Sequence, residues 1–99
     1  MWILQGSGND KETLTFRVRA GGIKTVGRAP RADFIVDAAL VSRLHCRLEA
    51  SDDTIDVIDL SSTNGTYVNG KRVDRAKLAE GDRLRVGRVE LTVDKNKHS

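Results

Sequence analysis

Three short polar stretches hold the side chains of this sequence that could do chemistry: Gly27-Arg28, Ser42-Arg43-Leu44-His45, and Ser62-Thr63-Asn64-Gly65. Brought to one place, they would offer two guanidinium groups, several hydroxyls, an amide and backbone N–H groups, with no carboxylate among them. That inventory matches a phosphate. Arginine grips it with a planar fork, and hydroxyl and amide donors fill its remaining lone pairs. The same inventory is poor for catalysis. Ser42, His45 and one of Asp52, Asp56 or Asp59 could be imagined as a triad. But Ser42 and His45 stand three residues apart across a loop and a strand, with no nucleophile elbow or oxyanion motif. There is no phosphate-binding glycine loop ending in Lys-Ser/Thr and no metal-ligand spacing. The expectation is a binding site without catalysis, metal or cofactor. Taken singly, each residue also has an ordinary reading: Arg28 as a surface arginine, His45 as a hydrogen-bonded structural histidine, Thr63 and Asn64 as turn residues. Only a fold that gathers them makes a site.

The elements that must do the gathering are short strands. Asn64-Gly65 and Asn69-Gly70 lie five residues apart and are strong turn signals, because both residue types tolerate positive φ. They clamp a very short strand, Thr66-Tyr67-Val68, and so stiffen the loop before it. Trp2-Ile3-Leu4 reads as a first strand ended by a turn over Gly6 to Asp10. Leu14, Phe16 and Val18 alternate with polar residues at the period of a half-buried strand, as do Ile23 to Val26. Pro30 blocks a helix in the next loop. Phe34-Ile35-Val36 is a continuous apolar run of the kind an interior strand carries. Leu44 to Glu49, Ile55 to Leu60, Lys71 to Val73, Lys77 to Ala79, Arg83 to Val86 and Val89 to Val93 complete the pattern. No helical apolar period reaches ten residues. The expected fold is all-β, a sandwich of two twisted antiparallel sheets with the binding loops at one end.

The 99 residues fit a single domain over 1–99, with a tail fraying from about residue 95. With 17 basic against 14 acidic residues the net charge is +3. This permits an anionic partner without the clustered basic face of a nucleic-acid binder. Of four aromatics, Trp2, Phe16 and Phe34 sit in core-like patterns, leaving little for base stacking. The lone Cys46 excludes an internal disulfide and suggests a reducing compartment. No apolar run approaches the ~20 residues of a membrane span, and the N-terminus lacks the pattern of a signal peptide. The polar tail has no evident natural end, as in a module excised from a longer chain.

Together the three stretches, with Thr66 and Val68-Asn69-Gly70, resemble the forkhead-associated family over residues 2 to 94. The resemblance implies a β-sandwich whose loops at one end bind phosphothreonine in a partner protein, recruiting it in kinase signalling. Carried over, Arg28 and Ser42 would contact the phosphate with Thr63 beside them, and Asn64 would hold the peptide backbone. Arg43 would add charge. His45 would brace the Ser42 loop, while Gly27, Gly65 and Asn69 shape loops. Ala39, Leu40 and Val41, with Arg75 opposite, would read residues beyond the phosphothreonine. The opening Met1-Trp2-Ile3-Leu4 is similar to the start of nibrin-type DNA-repair proteins, which sets an expectation of an intracellular, nuclear role in the DNA-damage response, with the cytoplasm as the other compartment. Two competing functions are weighed beside this one: a basic sandwich that binds nucleic acid, and a docking module that ignores phosphate.

Overall fold

The computed structural model describes residues 1–7 and 13–96. Among them the chain forms eleven strands: β1 (Trp2–Ser7), β2 (Thr13–Val18), β3 (Ile23–Gly27), β4 (Phe34–Ile35), β5 (Cys46–Ala50), β6 (Ile55–Asp59), β7 (Thr66–Val68), β8 (Lys71–Val73), β9 (Arg75–Leu78), β10 (Arg83–Val86) and β11 (Val89–Lys95). They make two facing sheets. One runs β2-β1-β11-β10-β7-β8 and the other β4-β3-β5-β6-β9. The fold is therefore the all-β sandwich that alternation and turn spacing imply.

The alternating residues meet between the sheets. Leu4, Val18, Val26, Leu48, Ile55, Val57, Leu84, Leu91 and their neighbours are fully buried in one core. Each such side chain contributes about 1.5–3 kcal/mol relative to leaving it in water. Trp2 closes the end of the core away from the polar loops, its indole N–H donating to the Ser51 carbonyl at 3.1 Å. Phe16 and Phe34 stack across the two sheets with ring centroids 4.5 Å apart.

Four expectations need correction. Phe34–Ile35 is an edge strand, not an interior one. It pairs with β3 in parallel, the one parallel pairing among these strands. Its apolar run splits across the sheet: Val36 turns into the core while Ile35 stays 47% exposed. The strand expected from Leu44 begins at Cys46, because Leu44 and His45 belong to the preceding loop. The strand expected at Lys77–Ala79 spans Arg75–Leu78, so Arg75 is a strand residue. Finally, β1 continues through Gly6 to Ser7, antiparallel to both β2 and β11. The rest of the expected turn, residues 8–10, lies outside the described residues. So do residues 97–99 of the tail, whereas Lys95 still pairs with Trp2.

Candidate functional site

Three connections converge at one end of the sandwich: the loop after β3, the loop from β4 to β5, and the loop from β6 to β7. Backbone hydrogen bonds lock the first two together. Arg28 N–H donates to the Ser42 carbonyl and Ala29 N–H to the Arg43 carbonyl, both at 3.0 Å. This approach is so close that a Cβ on Gly27 would collide with the Arg43 carbonyl oxygen and lie 2.9 Å from Leu44 Cα. Gly27 is therefore glycine for want of space, not for a special φ.

The third loop is tied to the second by side chains. Thr63 N–H donates to Ser42 Oγ at 3.0 Å, and Asn64 Nδ2 donates to the Leu40 carbonyl at 3.0 Å. Beneath them lies His45, fully buried. Its Nδ1 accepts the Ser42 N–H at 3.0 Å, and its Nε2–H donates to the Gly65 carbonyl at 2.8 Å. The Ser42 amide must donate, so Nδ1 is the acceptor and the proton sits on Nε2. Both ring nitrogens are thus spent on backbone. His45 bridges the Ser42 loop to Gly65, whose φ of +90° no branched residue would adopt readily. It makes no hydrogen bond to a serine hydroxyl, so the imagined Ser-His-Asp relay is not assembled.

A second brace was not anticipated. Asp59, at the end of β6, accepts from Ser62 Oγ at 2.5 Å and Thr66 Oγ1 at 2.7 Å through Oδ1, and from Ser62 N–H at 3.1 Å through Oδ2. Ser62 Oγ in turn accepts the Gly65 N–H at 3.0 Å. Burial pushes the Asp59 carboxyl up. The hydrogen bonds from Ser62 and Thr66 outweigh it and hold the group below its ordinary value of 3.8. The signal in the sequence was an aspartate three residues before a serine, a local turn pattern. Beside this network Cys46 is sealed in the core, its thiol pushed up to about 12 by burial and the Asp59 charge.

What this frame leaves open is a groove of about 820 Å³ lined by Arg28, Ser42, Arg43, Thr63 and Asn64, by Leu40, Val41 and Leu44, and by Asp37 and Ser61 among others. Arg28 Nε donates to the Val41 carbonyl at 3.2 Å, which fixes the stem of the guanidinium and leaves its two Nη groups for a ligand. Ser42 Oγ already accepts from Thr63, so its own hydrogen is the one to donate outward. Leu40 and Ser61 line the same groove with φ of +71° and +57°. Such backbone costs of order 1–3 kcal/mol per residue and tends to persist where surroundings over-determine it.

Of the residues singled out from sequence, Arg28, Ser42, Arg43, Thr63, Asn64, Leu40 and Val41 thus share one groove. Gly27, His45 and Gly65 stand directly behind it. Two do not join them. Asn69 sits at the far end of β7, where it shapes a hairpin instead. Arg75 lies on the outer face of the β4-β3-β5-β6-β9 sheet, its Nη2 2.9 Å from Asp56 Oδ2 and 3.8 Å from Glu49 Oε1. The alternation of β9 turns it away from the loops and toward those carboxylates.

The FHA domain family model matches residues 24–87, and the chain belongs to that family. Among curated proteins it is 41% identical over 69 residues to the glycogen accumulation regulator GarA of Mycobacterium tuberculosis, a stretch covering 70% of this chain and 43% of that protein. It is 37% identical over 67 residues to the oxoglutarate dehydrogenase inhibitor of Corynebacterium diphtheriae, covering 68% and 47%. The chain thus spans less than half the length of these relatives. A crystal structure of the FhaA FHA domain complexed with the intracellular domain of Rv3910 superposes with a TM-score of 0.83 at 33% identity, covering 94% of this chain and 99% of that one. A domain from work on phosphothreonine-dependent FHA interactions gives 0.82 at 33% identity over 96% of each chain. The curated relatives named here are bacterial, and bacteria have no nucleus, so the expectation of a nuclear DNA-damage role has no support from them. No helix among the described residues is long and apolar enough to cross a membrane.

Proposed function

We propose that this chain is a phosphothreonine-dependent interaction module that docks a kinase-phosphorylated protein inside a bacterial cell. The observation that carries the reading is the groove itself. Arg28, with its Nε anchored and its Nη groups free, stands with Ser42, Thr63, Arg43 and Asn64 around one opening. In this reading Arg28 takes the phosphate as a bidentate clamp. The Ser42 hydroxyl and the Thr63 side chain add donors, and Arg43 adds charge. Asn64, already bonded to the Leu40 carbonyl, offers its remaining amide groups to the peptide backbone. Leu40, Val41 and Leu44 meet the residues that flank the phosphothreonine.

Two findings support the reading from outside the geometry. The FhaA domain of the same fold was crystallised with the intracellular domain of another protein, and a second similar domain comes from work on phosphothreonine-dependent interactions. The names of the relatives point to regulation of metabolism: one is a regulator of glycogen accumulation, the other an inhibitor of oxoglutarate dehydrogenase. For this chain we infer the same manner of action, recruitment or inhibition by docking. The test is calorimetric titration with a phosphothreonine peptide and with its unphosphorylated form. Micromolar binding of the first alone is expected. Equal binding of both would leave a docking module indifferent to phosphate.

A further inference from the structure

Next to the groove, on the outer face of the β2-β1-β11-β10-β7-β8 sheet, the strands build a second cationic surface. Tyr67 in β7 is the cross-strand neighbour of Arg72 in β8 on one side and of Arg85 in β10 on the other. The Arg85 guanidinium lies over the Tyr67 ring, 4.3 Å from its centroid. Arg72 covers Gly65, its Nε 2.8 Å from where a Cβ on Gly65 would stand. Gly65 directly follows Thr63 and Asn64, so this surface is continuous with the groove.

Neither arginine takes part in any ion pair found among the described residues. Glu90 is the cross-strand neighbour of Arg85 on β11, yet forms none with it. Stacking uses the face of a guanidinium and leaves its N–H edge free, already oriented, for a carboxylate. A pre-oriented donor loses less side-chain freedom when the ligand arrives.

We propose that Arg72 and Arg85, held apart by Tyr67, bind acidic residues of the same phosphorylated partner on one side of its phosphothreonine. This rests on the phosphothreonine reading above. Charge complementarity and the continuity through Gly65 select this occupant. The two arginines stand two strands apart, about 10 Å, which is the span of about three residues of extended chain. The surface therefore suits a short acidic run.

Three phosphothreonine peptides of equal length test it by fluorescence anisotropy at physiological salt: one with neutral flanks, one with three glutamates before the phosphothreonine, one with three after. One acidic peptide should bind about three- to tenfold more tightly than the neutral one, the range of a few exposed ion pairs. The double variant Arg72→Gln/Arg85→Gln should erase that preference and hold the neutral peptide within about twofold, since it leaves the phosphate contacts alone. Should the double variant fail to fold, Arg72→Gln alone, at an exposed sheet edge, carries the test. If neither acidic peptide is preferred, if the preference survives the substitutions, or if all three peptides weaken together, the inference is overturned. If the neutral phosphothreonine peptide binds no better than its unphosphorylated form, the proposed function falls and takes this inference with it. Binding of the neutral peptide without an acidic preference sinks this inference alone.

Discussion

The short strand β7 begins after one Asn-Gly and ends at another, and the two identical dipeptides do different things. At the far end Asn69 and Gly70 have φ of +52° and +83°, the pair of left-handed residues that a two-residue hairpin between β7 and β8 demands. Asn69 spends its side chain on anchoring that turn to the start of β10. Its Nδ2 donates to Asp82 Oδ1 at 3.1 Å, and its Oδ1 accepts the Arg83 N–H at 2.9 Å. Of the pair at the groove end only Gly65 is left-handed. Asn64 keeps ordinary φ, stands exposed, and reaches across to the Leu40 carbonyl. One asparagine ties its hairpin to the turn before β10, 13 and 14 residues on; the other is held at the rim of an opening by a contact with a loop 24 residues back. Turn chemistry is thus readable from the dipeptide, but its purpose is decided by what the neighbouring loop brings.

The largest expected effect separates the two ends completely. Arg28→Ala should abolish measurable phosphopeptide binding while the melting temperature stays within a degree or two of wild type, because the side chain is exposed and braces only the Val41 carbonyl. Losing one charge-assisted clamp costs about 2–5 kcal/mol when the partner charge is left unpaired. Arg28→Lys should fail nearly as badly, since a point charge cannot supply the fork. Near-normal titration of either variant would remove the groove end from the function.

His45→Ala should damage stability as well as binding. The ring satisfies a donor at Ser42, on the groove wall, and an acceptor at Gly65, buried behind it. Leaving such partners bare costs about 1–3 kcal/mol. Binding that vanishes with an unchanged melting temperature would mean that the ring touches the ligand directly.

The two asparagines should then trade places in a pair of substitutions. Asn69→Ala leaves in left-handed backbone a residue that tolerates it less well than asparagine, and strips the bonds to Asp82 and the Arg83 N–H. At a cost of about 1–2 kcal/mol it should lower the melting temperature and leave peptide affinity intact. Asn69→Gly should recover part of that loss, because glycine accepts the φ but not the hydrogen bonds. Asn64→Ala should weaken the peptide by about 0.5–1.5 kcal/mol, one hydrogen bond's worth, and hardly shift the melting temperature. The opposite pattern, affinity lost at 69 and stability at 64, would reverse the assignment of the two ends.

A smaller effect is confined to acid. Asp59 is below 3.8 in the folded chain because Ser62 and Thr66 hydrogen bonds outweigh its burial. A carboxyl that binds its proton more weakly when folded adds stability that is fully present above its unfolded value and is lost as pH falls through the lower folded one. Urea midpoints should therefore hold steady down to about pH 4 on this account and fall below it. Asp59→Asn should start lower at neutral pH and show a shallower acid decline. Equal acid slopes for the two proteins would remove Asp59 from the network that shapes the groove.

Most of this arrangement was legible because it is local or periodic. Period-2 alternation marked the strands that face the core, and Gly27-Arg28, Ser42 to His45 and Ser62 to Gly65 announced the three loops in order. Arg75 was misplaced because its role depends on its being a strand residue: β9 begins at Arg75, and alternation with the inward Ala76 and Leu78 sets its side chain on the outer face, where Glu49 and Asp56 await it. The edge position of Phe34–Ile35 was invisible for a similar reason, since an apolar triplet reads alike whether it has one neighbouring strand or two. Asp59 was overlooked as a brace because, between Ile58 and Leu60 at the end of a strand, nothing local marks its partners until Ser62 and Thr66 are seen to close on it. Strand direction, sheet order and cross-loop hydrogen bonds are tertiary facts, and no window of neighbouring residues contains them.

The smallest effect tests how rigid the groove end is. Phosphothreonine should bind more tightly than phosphoserine in an otherwise identical peptide, although Arg28, Ser42 and Thr63 would meet the same phosphate in both. The difference must come from the threonine methyl, worth ~0.8 kcal/mol when buried, or about fourfold in affinity. The methyl also restricts χ1, so phosphothreonine loses less rotamer freedom on binding. A pocket profits from both only if its wall does not yield. Here the wall is Leu40 and Val41, which line the groove, with Leu40 held at a φ of +71° and its carbonyl bonded to Asn64. Asn64→Ala would release that carbonyl, so it should reduce the discrimination together with the affinity. At the other end of β7, Asn69→Ala leaves the wall untouched and should preserve the ratio of the two peptides even as it lowers the melting point. Competition titrations of both peptides against wild type and the two variants measure this. Equal affinities in the wild type would mean that the groove recognises phosphate alone, and a ratio that changes with Asn69 rather than Asn64 would mean that the hairpin, not the cross-loop bond, sets the pocket's stiffness.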